Sequence, residues 1–228
     1  MLMMSGAIAR RKLRERVGRL LGLNRKIQDP DLPADAARTA KVALICVKRR
    51  TNEFNMSNGY GGYAQFIQIL SEISKAFDAD AIVAALAMVY VGIDTMALLS
   101  CPVGQQSQKR DDFIAWVDKY LKADPVSEYQ YEGIDVYAAR CAVLHSYGSI
   151  ADLHKGTNPP RKFGYTDNGL HRKDDTERFA LISVAVLIYD FSRAIEAFGN
   201  KMLTDQELKR RVDSRMGSLL WTSLLERG

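Results

Sequence analysis

The stretch AIVAALAMVYVGIDTMALLS, residues Ala81–Ser100, decides the fold more than any other part of the sequence. It is rich in alanine and contains a single charged residue, Asp94. A run of about 20 apolar residues is long enough to span a bilayer, but a carboxylate in the middle of a span is costly in lipid. We therefore predict the core helix of a helical protein rather than a membrane span. Asp78 or Asp80 can cap its start, and Pro102 ends it.

Helical periodicity extends on both sides of this core helix. Before it, the apolar residues from Phe66 to Phe77 recur at intervals of three and four, which places them on one face of a helix. Residues 34–50 also fit a helix, with Val42–Val47 as an alternative strand. Later in the chain, apolar periodicity predicts helices over Arg110–Leu121, Ile134–Tyr147, 176–202 and 204–225. The expected fold class is all-α, a helical bundle of about five core helices.

Composition narrows the class of protein. The chain has 228 residues and 47% hydrophobic content, which is enough to bury one sizeable core. Its three cysteines, Cys46, Cys101 and Cys141, are far apart and form neither a disulfide framework nor a zinc motif, which favours a reducing compartment. The N-terminus lacks the apolar region and cleavage site of a signal peptide. We expect a cytoplasmic protein that does not associate with a membrane.

The positive charge is concentrated near the N-terminus. Residues 5–26 carry +7 and the whole chain carries +5, so the remaining residues sum to −2. Residues 8–24 combine basic side chains with leucines at helical spacing, which predicts a basic amphipathic helix, and Asp29–Pro33 is a break. We divide the chain into a basic N-terminal helical extension, 1–33, and a single helical-bundle domain, 34–228. The extension is either simply exposed or contacts nucleic acid or an anionic surface.

A long segment without helical periodicity, 148–176, follows the helix that ends at Tyr147. Structureless segments of this length are usually functional or disordered. This one mixes basic and aromatic side chains, the combination that binds single-stranded RNA. The candidates for RNA binding are Lys155, Arg161, Lys162 and Tyr165.

The sequence offers no motif for a metal or a phosphate-containing cofactor. All three histidines lie between 145 and 171, and no cysteine or carboxylate completes a zinc-binding pattern with them. Ser57–Gly62 is rich in glycine, but no Lys-Ser or Lys-Thr pair follows, so we predict a turn rather than a phosphate-binding loop. We expect neither a metal nor a cofactor.

One short motif suggests chemistry, the hexapeptide RCAVLH at Arg140–His145. It lies in an otherwise apolar helix, where an arginine and a histidine need partners because an unpaired buried charge is costly. The same problem arises for three other residues on apolar helices: Asp94, Asp190 and Arg193. We infer that these residues meet in a polar pocket among the helices. The alternative is structural, with Arg140 paired to Asp94 or Asp135 and His145 bonded to a backbone carbonyl.

The spacing of Arg140 and His145 in a helical chain resembles the Rx4-6H motif of the HEPN superfamily. The resemblance implies a helical-bundle domain over roughly residues 63–202 and a symmetric dimer that brings two such motifs into one cleft. It also implies relatives among the ribonucleases of toxin–antitoxin, abortive-infection and CRISPR-linked systems. Two positions differ from the family pattern. The residue after the arginine, usually polar, is Cys141, and the loop glycine is present as Gly148, just after the histidine.

Metal-independent RNA cleavage suits these residue types. Histidine moves protons near neutral pH, and the planar fork of arginine matches phosphate oxygens. We therefore predict a HEPN-like metal-independent endoribonuclease, or an inactive relative, in a bacterial defence or toxin–antitoxin context. Arg140 and His145 are the predicted catalytic pair, and Asp94 is predicted to orient one of them.

The expected partners are RNA, a second copy of the chain in a homodimer, and an antitoxin or defence protein. The first alternative is a non-catalytic helical module for protein interaction or regulation. The second alternative is a membrane-associated helical protein that uses Ala81–Ser100 together with the basic N-terminal helix.

Overall fold

The computed structural model describes residues 64–123, 129–166, 171–174 and 177–219. The predicted extension 1–33 and the predicted helix 34–50 lie outside the described residues. All of the described residues belong to one structural unit.

Helices form most of the described structure. They are α1 (Ala64–Asp78), α2 (Ile82–Ser100), α3 (Arg110–Trp116), α4 (Gly133–Ser146), α5 (Val184–Thr204) and α6 (Gln206–Met216). A π-helical turn, Val117–Leu121, continues α3, and a short 3-10 helix covers Asp152–Lys155. These bounds confirm the helices predicted from Phe66 to Phe77, over 80–100, over Arg110–Leu121 and over Ile134–Tyr147.

The apolar helix α2 lies at the centre of the bundle and packs against α1, α3, α4, α5 and α6. Gly92 allows the closest of these contacts, because a Cβ atom at this position would lie 2.4 Å from the ring of Phe191 on α5. The exposed side of α2 is apolar too, with Val83 42% and Val91 41% exposed. Among the described residues, α2 is the one helix that is long and apolar enough to cross a membrane. Half of its most apolar stretch is buried inside the protein.

A small three-stranded sheet accompanies the helices, so the all-α prediction holds only for the predominant structure. The strands are β1 (Lys162–Thr166), β2 (Arg172–Asp174) and β3 (Phe179–Ser183). The central strand β3 pairs in parallel with β1 and antiparallel with β2. β1 and β2 therefore give regular structure to part of the segment 148–176, which the sequence marked only as non-helical.

The predicted helix over 176–202 begins later than expected, at Val184. Ser183 caps it by accepting a hydrogen bond from the backbone of Val186 at 3.4 Å. The preceding residues FALIS instead form β3, with Ala180 and Ile182 buried in the core. Single apolar runs of this length do not distinguish a strand from a helix, and here the run continues into α5 without a glycine or proline to mark the boundary.

The last helix, predicted from residue 204, begins at Gln206, and its cap is Asp205 rather than Thr204, which ends α5. Asp205 accepts a hydrogen bond from the backbone of Leu208 at 3.1 Å, as a side-chain cap does. The helix ends at Met216, earlier than the predicted Leu225, and residues beyond 219 lie outside the described residues.

Candidate functional site

Helix α4 carries the Arg140–His145 motif, and both of its ends are well defined. At its start, Asp135 accepts a hydrogen bond from the backbone of Glu132 at 2.9 Å. At its end, Tyr147 adopts a left-handed conformation with φ 49°, and the backbone N–H of Gly148 bonds to the carbonyl of Ala142 at 3.0 Å. This closure is the 6→1 bond of a Schellman motif. His145 therefore lies in the last turn of the helix, one turn beyond Arg140.

Arg140 is paired with Asp94 of α2, one of the contacts that the sequence suggested. Arg140 Nε lies 2.8 Å and Nη2 lies 2.6 Å from the same carboxylate oxygen, Oδ2. The two side chains are 20% and 19% exposed. Burial alone would lower the pKa of Arg140, but its bonds to Asp94 outweigh this effect and raise the pKa above its ordinary value. The guanidinium is therefore a permanent cation held against α2.

The same guanidinium also contacts His145. Arg140 Nη1 lies 3.0 Å from His145 Nε2. Because arginine can only donate, Nε2 must be the acceptor in this contact, and the proton of the neutral imidazole is then on Nδ1. His145 itself is exposed. One helix thus brings both residues of the motif together, with the arginine half-buried and the histidine facing solvent.

A third residue of the site, Gln108, was not predicted from the sequence. It lies in the loop before α3, and its amide Nε2 donates to Asp94 Oδ1 at 2.5 Å. A neutral side chain in a polar loop gives no charge or periodicity signal, so sequence reasoning had no means of finding it. The site is therefore a chain of side chains from the α2–α3 loop to the end of α4: Gln108, Asp94, Arg140 and His145.

Asp190 and Arg193, which were expected in the same pocket, lie elsewhere. Asp190 Oδ2 lies 3.5 Å from Nε2 of His171, and the Arg193 guanidinium lies 5.9 Å from the ring centre of Tyr189. Neither is bonded to Arg140 or His145. Asp190 thus belongs to a second cluster, with His171.

The second cluster is more deeply buried than the first. The side chains of His171 and Asp190 are 8% and 11% exposed. His171 Nδ1 accepts a hydrogen bond from the backbone of Ser183 at 3.0 Å, which ties the start of β2 to the end of β3. The ring of Tyr131 packs edge-on against His171, and burial together with the charge of Asp190 raises the pKa of Tyr131. This cluster joins the sheet to α5 inside the protein.

The predicted RNA-binding cations lie on or next to the sheet. Lys155 is exposed and pairs with Asp152 at 2.6 Å. Lys162 is exposed at the start of β1. Arg161 is half-buried, and its Nη1 donates to the carbonyl of Asp174 at 3.4 Å. These positions keep positive charge at the protein surface, beside the first strand.

The predicted stacking role of Tyr165 finds no support in the structure. Its hydroxyl lies 2.7 Å from that of Tyr90, and burial raises the pKa of Tyr165 above its ordinary value. The ring is partly buried against the core rather than free on the surface. The residue was placed in a loop by sequence reasoning, whereas it belongs to β1 and faces inward.

The remaining histidine, His154, is a structural residue. It is buried, its Nδ1 accepts from the backbone of Ala151 at 2.9 Å, and its Nε2 lies 3.2 Å from the carbonyl of Arg161, to which it donates. The backbone of Arg161 in turn donates to Asp135 at 2.7 Å, which fixes this segment to the start of α4. Within the part of the chain that the structure describes, no group of three or more histidine, cysteine or acidic side chains is arranged to hold a metal ion.

Comparison of the chain with protein-family models, with curated proteins and with solved structures gives no significant match. The chemistry that the Arg140 site can perform therefore follows from the side chains that form it. A fixed guanidinium beside an exposed neutral imidazole offers a cation and a proton acceptor 3.0 Å apart. This pairing suits a substrate that has both a negatively charged oxygen and an exchangeable proton.

Proposed function

We propose that this chain is a HEPN-like helical domain whose Arg140 and His145 form a metal-independent endoribonuclease site, active or decayed. The observation that carries the proposal is the 3.0 Å contact between Arg140 Nη1 and His145 Nε2 at a solvent-exposed helix end. In this proposal the protein acts in the cytoplasm, in a bacterial defence or toxin–antitoxin context.

The proposed reaction is attack by the RNA 2′-hydroxyl on the adjacent phosphate. His145 Nε2 accepts the proton of the 2′-hydroxyl, and the guanidinium of Arg140 stabilises the charge that develops on the phosphate oxygens. The departing 5′-oxygen also needs a proton, and in a homodimer the second copy of His145, which enters the step as the protonated imidazolium, supplies it from the opposite side. Asp94 holds the guanidinium in place, so the arginine does not have to be ordered during the reaction.

The surface cations Lys155, Arg161 and Lys162 contribute electrostatic attraction to RNA in this proposal. The stacking contribution once expected from Tyr165 is not part of it. An antitoxin or defence protein is the second proposed partner, and association with a membrane is not proposed.

A non-catalytic role is the second candidate, and one observation favours it. Two large apolar side chains directly after α4 face solvent, with Tyr147 79% and Ile150 54% exposed. Exposed aromatic and aliphatic side chains next to each other are typical of binding surfaces. In that case the pairing of Arg140 with Asp94 is structural, and the end of α4 docks a partner protein.

The two candidates are separated by incubating the purified full chain with single-stranded RNA in excess EDTA. The wild type, His145→Ala and Arg140→Ala are compared with Arg210→Ala, which removes an exposed arginine that is ion-paired with Glu207 on α6. We expect cleavage by the wild type and by Arg210→Ala, and a loss of about 100-fold or more in each site variant. Intact RNA with the wild type refutes an active nuclease, and equal cleavage by His145→Ala refutes the catalytic role of His145.

A further inference from the structure

The two oxygens of Asp94 have different partners. Oδ2 accepts both bonds from Arg140, and Oδ1 accepts from the amide of Gln108 at 2.5 Å. A carboxylate that is bonded at one oxygen only can rotate about its χ2 angle, whereas one bonded at both oxygens cannot do so without losing a bond. The orientation of the Arg140 guanidinium therefore depends on a residue that does not touch it.

The loop that carries Gln108 is firmly anchored. Arg215 of α6 donates to three of its carbonyl groups, those of Cys101 at 2.9 Å, Pro102 at 2.6 Å and Gln105 at 2.8 Å. At the other end of the loop, Asp112 accepts from the side chain of Gln105 at 2.6 Å. Gln108 thus reaches Asp94 from a fixed backbone position, which separates it from the many surface side chains that make incidental contacts.

The orientation of the Gln108 amide is determined by Asp94. Its Oε1 atom is buried and has no hydrogen-bond partner within the described part of the chain. Rotating the amide by 180° would place Oε1 against Asp94 Oδ1, where two acceptors would repel each other. Buried acceptors without a partner are rare because they lose the hydrogen bonds of water. The bond to Asp94 is thus kept although the other end of the amide is left unsatisfied.

We propose that Gln108 is a positioning residue of the Arg140–His145 site, which fixes the carboxylate of Asp94 and through it the guanidinium. A neutral amide suits this position for an electrostatic reason. A lysine there would attract the charge of Asp94 away from Arg140, and a glutamate would repel the carboxylate. The amide orients Asp94 and leaves its full negative charge to Arg140. The catalytic consequence of this inference rests on the proposed ribonuclease function, but the structural consequence does not.

Two variants of Gln108 test the inference. Gln108→Met keeps the length of the side chain and removes the donor, and Gln108→Glu keeps its shape and adds a charge. The matched control is Gln206→Met, which changes an exposed glutamine at the start of α6. The first readout is the hydrogen-exchange rate of the Arg140 Nε–H, measured by ¹⁵N NMR on the full chain. Because Gln108→Met removes a hydrogen bond to a charged group, we expect exchange to be about tenfold faster in Gln108→Met and faster still in Gln108→Glu.

The second readout is RNA cleavage, with kcat and KM measured separately. We expect both Gln108 variants to lower kcat by about tenfold with little change in KM, because the RNA-binding surface is intact while the guanidinium is displaced. Unchanged Arg140 exchange in both Gln108 variants overturns the inference, as does equally accelerated exchange in Gln206→Met. If the wild type does not cleave RNA, the proposed function fails, and the exchange rates still decide whether Gln108 positions Arg140.

Discussion

The bond between Arg140 and Asp94 provides a quantitative test of the site. We propose a double-mutant cycle of Asp94→Ala, Arg140→Ala and the double variant, with the free energy of unfolding measured for each. The two side chains are joined at 2.8 Å and 2.6 Å and are 20% and 19% exposed. Exposed ion pairs contribute about 0–1 kcal/mol, and breaking a fully buried pair costs about 3–5 kcal/mol. This pair lies between these limits, so we expect a coupling energy of about 1.5–2.5 kcal/mol.

The structure also predicts which single variant is the less stable. When Arg140 is removed, Asp94 keeps its bond to Gln108. When Asp94 is removed, the guanidinium loses its anion and keeps only His145 and the distant Cys141 sulfur, and Gln108 loses its acceptor. We therefore expect Asp94→Ala to cost about 1 kcal/mol more than Arg140→Ala. Helix propensity works against this difference, since replacing Asp by Ala inside α2 gains about 0.5 kcal/mol. The cycle cancels that gain in the coupling energy.

Urea unfolding followed by circular dichroism at constant pH and low salt gives all four free energies. A coupling energy below about 0.3 kcal/mol refutes the reasoning, because the two charges would then be no better paired than distant residues. A larger loss of stability in Arg140→Ala than in Asp94→Ala refutes the assigned role of Gln108 in holding the carboxylate. Repeating the cycle at high salt should lower the coupling only modestly, since partly buried pairs are weakly screened.

Two further predictions concern Cys101, a buried thiol outside this site. Burial raises the pKa of the Cys101 thiol from 9.0 to about 11, so iodoacetamide at pH 8 should modify half-exposed Cys141 at least about tenfold faster than Cys101 in peptide mapping. Equal labelling of the two cysteines in the folded protein would contradict the buried position of Cys101. Because the unfolded chain loses the Cys101 proton first, the contribution of this thiol to the free energy of unfolding in urea titrations should be lost as the pH rises from 9.0 to about 11.

Helices with regular apolar spacing were predictable from the sequence, and the sheet was not. In α1 the apolar residues follow one helical face, and in α2 the length of the apolar run excludes a strand. β3 is short, and its apolar residues continue directly into α5, so the local signal at the boundary is a single capping serine, Ser183, within an apolar run. The neighbouring strand β2 contributes only exposed residues, which have no alternation of polarity to reveal a strand.

The candidate site was predictable where a charge had no local partner. Asp94 and Arg140 each occur on an apolar helix, and this mismatch was enough to suggest that they meet. The same reasoning grouped Asp190 with them, because sequence alone does not tell which buried charges share a pocket. His171, the actual neighbour of Asp190, comes from the irregular segment that carried no periodicity. Gln108 was undetectable because a neutral amide in a loop can be satisfied by water as well as by a carboxylate.

The division of donors on Arg140 constrains how a phosphate can enter the proposed site. Arginine has five N–H donors. Nε and one Nη2 proton point to Asp94, and one Nη1 proton points to His145. The second proton on each Nη nitrogen is left, and the Nη1 nitrogen has only the distant Cys141 sulfur, at 3.9 Å, as a further neighbour. A phosphate oxygen can therefore bind at an Nη nitrogen without displacing Asp94, but Nε2 of His145 must leave the guanidinium before its lone pair can accept a proton. His145 is exposed in the last turn of α4, whereas Arg140 is anchored to α2. The imidazole is therefore the group that moves when the two side chains separate. In the proposed reaction, movement of the His145 imidazole away from the guanidinium makes the Nε2 lone pair available to the 2′-hydroxyl.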